Sequence, residues 1–181
     1  MKFLVISDTH GAKTPLWKIL SQWGESVDGV IHLGDYVRDA REAAKVYPNL
    51  PFYLVAGNGD SGTAAPSNQI LELEGHRLYL CHGHRHLAGG EYQGFLQFGL
   101  DQECDVLLCG HTHVPHLEDR YGVLILNPGS LCFPRSSAGA SYAILDTGGK
   151  RADARIHYVE QQAPSSSHAG RGGGAAFLWR H

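Results

Sequence analysis

The sequence predicts an α/β protein: a two-sheet β-sandwich flanked by helices, in αββα layers. Three observations predict it. Strand-like and helix-like segments alternate through the first third of the chain. The remainder is dominated by strand patterns. Several of the strand candidates are short, wholly apolar runs, as expected where both faces of a sheet are covered.

Phe3-Leu4-Val5-Ile6 is the first such run. Thr14-Pro15 then reads as an N-cap with proline at the first helical position. Leu16, Ile19, Leu20 and Trp23 recur at helical spacing, and Gly24 closes the segment. Gly29 to Leu33 is a second strand, ending at Gly34-Asp35. Val37 to Tyr47 is helix-like, with Ala40, Ala43, Ala44 and Tyr47 on its inner face and Pro48 as its stop. Phe52 to Val55 is a third strand, running into Gly57-Asn58. This strand–helix alternation implies right-handed crossovers and a parallel start to the sheet. Ile70-Leu71-Glu72-Leu73 and Leu78-Tyr79-Leu80 flank Glu74-Gly75-His76 as a hairpin. A helix is expected from about Glu91 to Glu103, anchored by Phe95 and Phe98. Val106 to Cys109, Val123 to Leu126, Tyr142 to Leu145 and Ile156 to Val159 supply later strands. So many late strands fit two sheets better than one doubly wound sheet.

The chain of 181 residues suits one domain with its own core. We assign 1–160 to that domain and 161–181 to a flexible Ser/Gly/Ala-rich tail, whose composition buries too little apolar surface to order itself. An apolar fraction of 43% and a charged fraction of 18% are ordinary for a soluble globular protein. The net charge of -3 gives no broad basic face for nucleic acid or an anionic membrane. No apolar run approaches the roughly 20 residues of a membrane-spanning helix, and the N-terminus does not resemble a signal peptide. Cys81, Cys104, Cys109 and Cys132 form no C-x-x-C pair and read as reduced thiols. A cytoplasmic location is therefore expected.

Histidine is over-represented, with 12 in the chain, many of them in loops beside glycine. Five motifs share one placement, each in the loop after a predicted strand: Asp8-Thr9-His10, Gly34-Asp35, Gly57-Asn58-Gly59-Asp60, His82-Gly83-His84 and Gly110-His111-Thr112-His113. The carboxyl ends of neighbouring strands open onto a common crevice, so these distant residues can converge. Carboxylates, an amide oxygen and imidazoles suit manganese, zinc or iron, and the absence of cysteine from the set argues against a structural zinc site. Asp8, His10, Asp35, Asn58, His82, His111 and His113 are too many donors for one tetrahedral ion. They suffice for two ions if a carboxylate bridges them. Any one of these residues alone would read as a polar loop or turn residue; the ordered series is the signal.

That series resembles the calcineurin-like metallophosphoesterase superfamily, and within it the small bacterial and archaeal phosphodiesterase branch. The resemblance runs from Met1 to about Val159. Asn127-Pro128-Gly129-Ser130 followed by Pro134-Arg135 also looks like that branch's downstream loop. The resemblance implies that Asp8, His10 and His113 hold one divalent ion, that Asn58, His82 and His111 hold a second, and that Asp35 bridges them. It implies a hydroxide nucleophile between the ions, since metal coordination lowers the pKa of water from about 16 to about 7. Manganese is the expected metal, with zinc, nickel, iron or cobalt as alternatives. A small phosphate ester, more readily a diester than a monoester, is the expected substrate, and a homodimer is compatible with the resemblance. Beside Asp35, Asp60 and His84 are the further catalytic candidates. Asp60 is expected to orient a ligand imidazole, and His84 to contact phosphate.

One departure stands out. Many superfamily members carry histidine directly after the motif asparagine, where it assists the leaving group; here that residue is Gly59. Either His84 takes over, or the substrate's leaving group needs little help. Gly59 also keeps a different function class open, a catalytically weak protein-binding scaffold on the same fold. The charge balance and the short chain speak against a nucleic-acid-processing enzyme. Arg38 and Arg135 are phosphate-contact candidates as much as solvated side chains. His32 reads as a core histidine, and His76, His86, His116 and His157 as structural or surface residues. Gly11 and Gly34 are expected to serve backbone geometry near the metals.

Overall fold

The computed structural model describes residues 1–159, so the 161–181 tail lies outside the described residues. β1 (Lys2–Ile6), α1 (Lys13–Trp23), β2 (Gly29–His32), α2 (Val37–Val46) and β3 (Phe52–Leu54) alternate at the start. The hairpin β4 (Asn68–Leu73) and β5 (His76–Cys81) follows, then α3 (Gln93–Asp101) and β6 (Val106–Leu108). The hairpin β7 (His116–Arg120) and β8 (Val123–Asn127) precedes β9 (Ser141–Asp146) and β10 (Asp153–Tyr158).

These strands form two five-stranded sheets, ordered β10-β9-β1-β2-β3 and β4-β5-β6-β8-β7. β1, β2 and β3 are parallel neighbours, as are β5, β6 and β8. β9 and β10 extend the first sheet antiparallel. The period-2 alternation of side chains explains why β1 is apolar throughout. Phe3 and Val5 face the other sheet, meeting a core that includes Leu78, Leu80, Val106, Leu108 and Leu126. Leu4 and Ile6 face outward against Leu16, Ile19 and Leu20 of α1 and Ala43 of α2. On the far side, Phe95 and Leu96 of α3 cover Tyr79, Leu107 and Ile125. The result is the expected α/β sandwich, with helices outside both sheets. Among the described residues, no helix is long and apolar enough to cross a membrane.

The structure differs from the sequence expectation at four local points. α1 begins at Lys13, with Ala12 at its N-cap, so Thr14 does not cap it. Pro15 is third in the helix, still among the first-turn positions whose N–H would lack an intrahelical partner. α3 starts at Gln93, two residues later than expected. The inner face of α2 includes a charged residue, Asp39. β7 was not anticipated at all. Its sequence His-Leu-Glu-Asp-Arg has no apolar face to read, because it is an edge strand with a single neighbour. The β4–β5 hairpin matches expectation, and its two-residue turn Glu74-Gly75 has φ of +51° and +85°, the positive pair that a type I′ turn requires.

Candidate metal centre

The loops after β1, β2, β3, β5 and β6 converge at one end of the sandwich. Four of them, those after β1, β2, β3 and β6, join the loop after β8 around a cavity of about 680 Å³, lined by His10, Asp35, Asn58, His111 and His113 together with Cys132, Phe133, Pro134 and Arg135. Asp8, His10 and His113 offer ligand atoms that all lie within 4.8 Å of one another, and so do Asp8, Asp35 and His82.

Backbone geometry aims these groups. Asp8, His10, Asp35, His111 and His113 all have left-handed φ, between +43° and +70°, a conformation that L side chains adopt at a cost. The β1 loop is tied to the β2 loop by the Asp8 N–H, which donates to Gly34 O at 3.0 Å. Gly110 must lack a side chain, because a Cβ there would lie 1.9 Å from Ser7 Oγ and 2.9 Å from Asp8 Oδ2. The expected need for glycine at Gly34 also holds: its φ is +95°, and a Cβ would meet Gly57 N at 2.6 Å.

Asp8, Asp35, His82 and His113 are each half-committed. Asp8 Oδ2 accepts from Ser7 Oγ at 2.6 Å and from the His111 N–H at 3.1 Å. Asp35 Oδ1 accepts from the Gly59 N–H at 2.8 Å. His82 Nδ1 donates to Leu33 O, and His113 Nδ1 to Phe133 O, both at 2.7 Å. These carbonyls fix the tautomer and turn each Nε2 toward the cluster. Asp8 Oδ1 then stands 3.1 Å from His113 Nε2 and 3.9 Å from His82 Nε2. Asp35 Oδ2 is 3.5 Å from His10 Nε2, and its Oδ1 is 3.5 Å from His82 Nε2.

Asp8 Oδ1, His10 Nε2 and His82 Nε2 are buried and make no aligned hydrogen bond. Buried polar atoms are otherwise almost always satisfied. Asp8 Oδ1 lies 3.8 Å from His10 Nε2 and 3.9 Å from His82 Nε2, and an unsatisfied anionic oxygen near unsatisfied imidazole nitrogens fits divalent cations, which accept both kinds of lone pair. The electrostatics agree. Burial alone would raise the Asp8 carboxyl, but His113, His82 and Ser7 outweigh it and hold it low. Asp8 in turn raises His113 against the opposing effect of burial. Burial and His82 lower His111, although Asp8 and Asp35 pull the other way.

The expected residues divide in two. Asp8, His10, Asp35, His82 and His113 meet in the two trios, and Asp8 belongs to both, a link the motif series did not show. His111 and Asn58 line the cavity, and His111 belongs to neither trio; its ring centroid lies 5.2 Å from that of His82. Asp60 does not bond an imidazole. Its two oxygens accept from the Val37 and Gly57 N–H groups, both at 2.9 Å, tying the start of α2 to the Asn58 loop. His84 does not line the main cavity. It faces a small recess with Tyr79, Arg85 and His86, its ring 5.6 Å from that of His82, and burial lowers its pKa. Arg135 lines the cavity, whereas Arg38 stacks 4.5 Å above the Tyr36 ring. His32 is fully buried and pushed down to about 4 by that burial, as expected of a core histidine.

Sequence reasoning missed Asp39. Only 2% exposed, it accepts from Thr9 Oγ1 and the Gly11 N–H, both at 2.8 Å, and so clamps the Asp8-Thr9-His10 loop onto α2. An acidic residue in a helix ordinarily reads as solvated, and its partner lies 30 positions away.

Comparison with known proteins follows the same lines. A family profile described as the calcineurin-like phosphoesterase superfamily domain matches residues 1–150. The chain is 36% identical over 138 residues to a probable metallophosphoesterase of Mycoplasma pneumoniae, covering 75% of this chain and 82% of that one. It is 33% identical over 169 residues to the phosphodiesterase YfcE of Escherichia coli K12, covering 81% and 88% of the two chains. Among solved structures, a predicted phosphoesterase from Streptococcus pneumoniae superposes with a TM-score of 0.67 at 28% identity, over 80% of this chain and 81% of that one. Zinc-complexed Vps29 from Entamoeba histolytica shares the fold, with a TM-score of 0.71 at 18% identity over 88% and 98% of the chains.

Proposed function

The chain belongs to the calcineurin-like phosphoesterase superfamily, and on that premise we propose that it is a phosphodiesterase whose site holds two divalent metal ions. One observation carries the metal reading: Asp8 Oδ1, His10 Nε2 and His82 Nε2 are buried without hydrogen bonds, in two trios that share Asp8. In this reading Asp8, His10 and His113 hold one ion. His82, His111 and Asn58 would hold the other, and Asp35, 3.5 Å from both His10 Nε2 and His82 Nε2, would serve both. When bound, the ions supply Lewis acidity, acidifying water toward hydroxide and offsetting charge on the phosphoryl oxygens. A donor set of oxygen and nitrogen without sulfur suits manganese, and zinc, nickel, iron or cobalt would accept the same donors.

The chain's own residues do the positioning. Leu33 O and Phe133 O hold two imidazoles in one tautomer, and the Gly59 N–H holds Asp35 Oδ1. Arg135 brings a positive charge to the cavity wall. Overall, the oxygen of water joins phosphorus, one ester P–O bond breaks, and the released alcohol carries away the proton. No side chain projects from Gly59, and His84 lies off the cavity. The site therefore favours leaving groups that depart without a strong proton donor. The phosphodiesterase name of the Escherichia coli relative supports a diester substrate. All four cysteines are free thiols, which supports a reducing, cytoplasmic setting.

The test pairs elemental analysis with turnover. The purified chain should carry close to two ions after manganese loading and hydrolyse a chromogenic phosphodiester. No turnover with manganese, nickel, cobalt or zinc would sink the enzyme reading. Less than one tightly held ion per chain would favour the protein-binding scaffold.

A further inference from the structure

Phe133 is 61% exposed at the mouth of the cavity, yet its backbone is among the most constrained there. Its carbonyl accepts from His113 Nδ1 at 2.7 Å, and its N–H donates to Ser130 Oγ at 3.1 Å. Ser130 Oγ donates onward to Asp8 O at 3.0 Å. The backbone of this residue is thus tied to two candidate metal-binding residues, His113 directly and Asp8 through Ser130. The ring centroid lies 5.5 Å from that of His10, tilted by 50°. The backbone duties of this position need only an N–H and a C=O, which almost any residue supplies. The aromatic ring is surplus to them, and its exposed face carries a hydrophobic cost unless something covers it.

The cavity indicates what covers it. About 680 Å³ is far more than a phosphate group fills. Phe133, Pro134 and Arg135 line the cavity in succession, together with Asp35 and His111. Arg135 is anchored by its N–H to His113 O at 3.0 Å, and among the described residues its guanidinium forms no ion pair. A flat apolar ring beside an unpaired cation, facing donors suited to a phosphate-binding metal pair, matches a ligand with a planar ring attached to a phosphate.

We propose that Phe133 is a stacking platform for a planar ring in one ester group of the substrate, with Arg135 holding a phosphoryl oxygen; this rests on the phosphodiesterase reading above. The substrate class is then a phosphodiester of an aryl alcohol or of a nucleoside, both of which offer a π-face to stack on.

Three substrates test this on the manganese-loaded full chain: thymidine 5′-(p-nitrophenyl) phosphate, methyl p-nitrophenyl phosphate, and the ring-free diester glycerophosphoethanolamine. Phe133→Ala should lower kcat/KM for the ring-bearing substrates about tenfold, the size of one aromatic stack, and leave the ring-free diester unchanged. Phe133→Tyr should retain the wild-type preference, and Phe133→Leu should lose it. A loss confined to the thymidine ester identifies a nucleobase, and a loss on both p-nitrophenyl esters identifies an aryl group. Equal losses on all three substrates, or no loss at all, would overturn the proposal. So would a change of oligomeric mass with selectivity intact, which would mark Phe133 as a subunit contact. Calorimetric titration with thymidine 5′-monophosphate and with inorganic phosphate decides the matter independently of turnover. Phe133→Ala should weaken the nucleotide about tenfold and not the phosphate. If wild type hydrolyses none of the diesters but this selective loss appears, the phosphodiesterase reading fails and the platform stands; parallel binding by both proteins refutes the platform.

Discussion

Replacing Asp39 by alanine removes one oxygen that accepts two hydrogen bonds at 2.8 Å, from Thr9 Oγ1 and the Gly11 N–H. The two losses are unequal. Thr9 Oγ1 keeps a neighbouring acceptor in Asp35 O at 3.3 Å, whereas among the described residues the Gly11 N–H donates only to Asp39. A hydrogen bond to a charged acceptor contributes about 1.5–3 kcal/mol, and an orphaned donor costs about 1–3 kcal/mol. Against this, the second carboxylate oxygen of Asp39 is buried and unbonded, so removing it returns part of a desolvation cost. The balance is a destabilisation of about 2–3 kcal/mol, or a fall in Tm of about 4–12 °C for a chain of this size. The loop released is the one that carries Asp8 and His10, so manganese affinity should also fall about 10–100-fold. Asp39→Asn keeps an acceptor oxygen in place and should lose less than half as much on both measures. Thermal melts with and without manganese, combined with calorimetric metal titration, read the two effects separately. An Asp39→Ala protein melting within about 1 °C of wild type and binding manganese equally well would refute the clamp.

Three further outcomes follow from other sites. Asp35→Asn should keep the fold, because an oxygen remains for the Gly59 N–H, yet reduce phosphodiester turnover by more than about 100-fold; activity surviving that change would contradict the bridging role. Gly59→His should raise kcat for diesters with poor leaving groups by about 10²-fold, with little change for p-nitrophenyl esters. Its Cβ meets Asp35 Oδ1 at 3.1 Å, so the loop needs to give by only a few tenths of an ångström, and stopped-flow comparison of alkyl and aryl esters reads the difference. His76, bonded to Asp105 Oδ2 at 2.5 Å and to Gly149 O at 3.0 Å, has its pKa raised first by Asp105, against burial, with help from the Gly149 carbonyl. A raised folded value means that this stabilisation is complete below the ordinary pKa of 6.5 and is lost as pH climbs from there through the folded pKa. Chemical denaturation across that window should show the decline in wild type and a flatter profile in His76→Gln.

What the sequence made legible, and what it hid, follows from where each signal is written. β1, β2 and β6 announced themselves because covering both faces of a strand demands an unbroken apolar run, and the metal candidates sit just past those runs. β7 was hidden because an edge strand with half-exposed faces demands no such run. Asp39 was hidden because its partner Thr9 lies on another loop, and no local pattern separates a clamping aspartate from a solvated one. The direction of His84 was hidden because it turns on the backbone at Gly83, whose φ of +104° no motif displays. The role of Asp60 went to backbone amides, partners that no motif displays.

The sharing of Asp8 between both trios is a different matter, because it depends on backbone conformation. Nine non-glycine residues among those described have positive φ, and five of them are Asp8, His10, Asp35, His111 and His113. Each such residue costs roughly 1–2 kcal/mol relative to ordinary backbone, somewhat less for aspartate, so their concentration at one end of the sandwich opposes stability. It persists because the surrounding structure over-determines it: Gly110 admits no Cβ against Ser7 and Asp8, Asp60 and Asp39 lock the adjoining loops to α2, and two backbone carbonyls hold the imidazoles. Two of these five residues, Asp8 and His10, also carry a donor atom left buried and unbonded, and bound cations would offset the cost of holding those donors in place. Metal loading should therefore raise Tm in wild type far more than in Asp8→Asn, whose side chain offers a neutral amide where both trios need a carboxylate oxygen. Equal metal-dependent stabilisation in the two proteins would show that the strained loops serve some purpose other than ion binding.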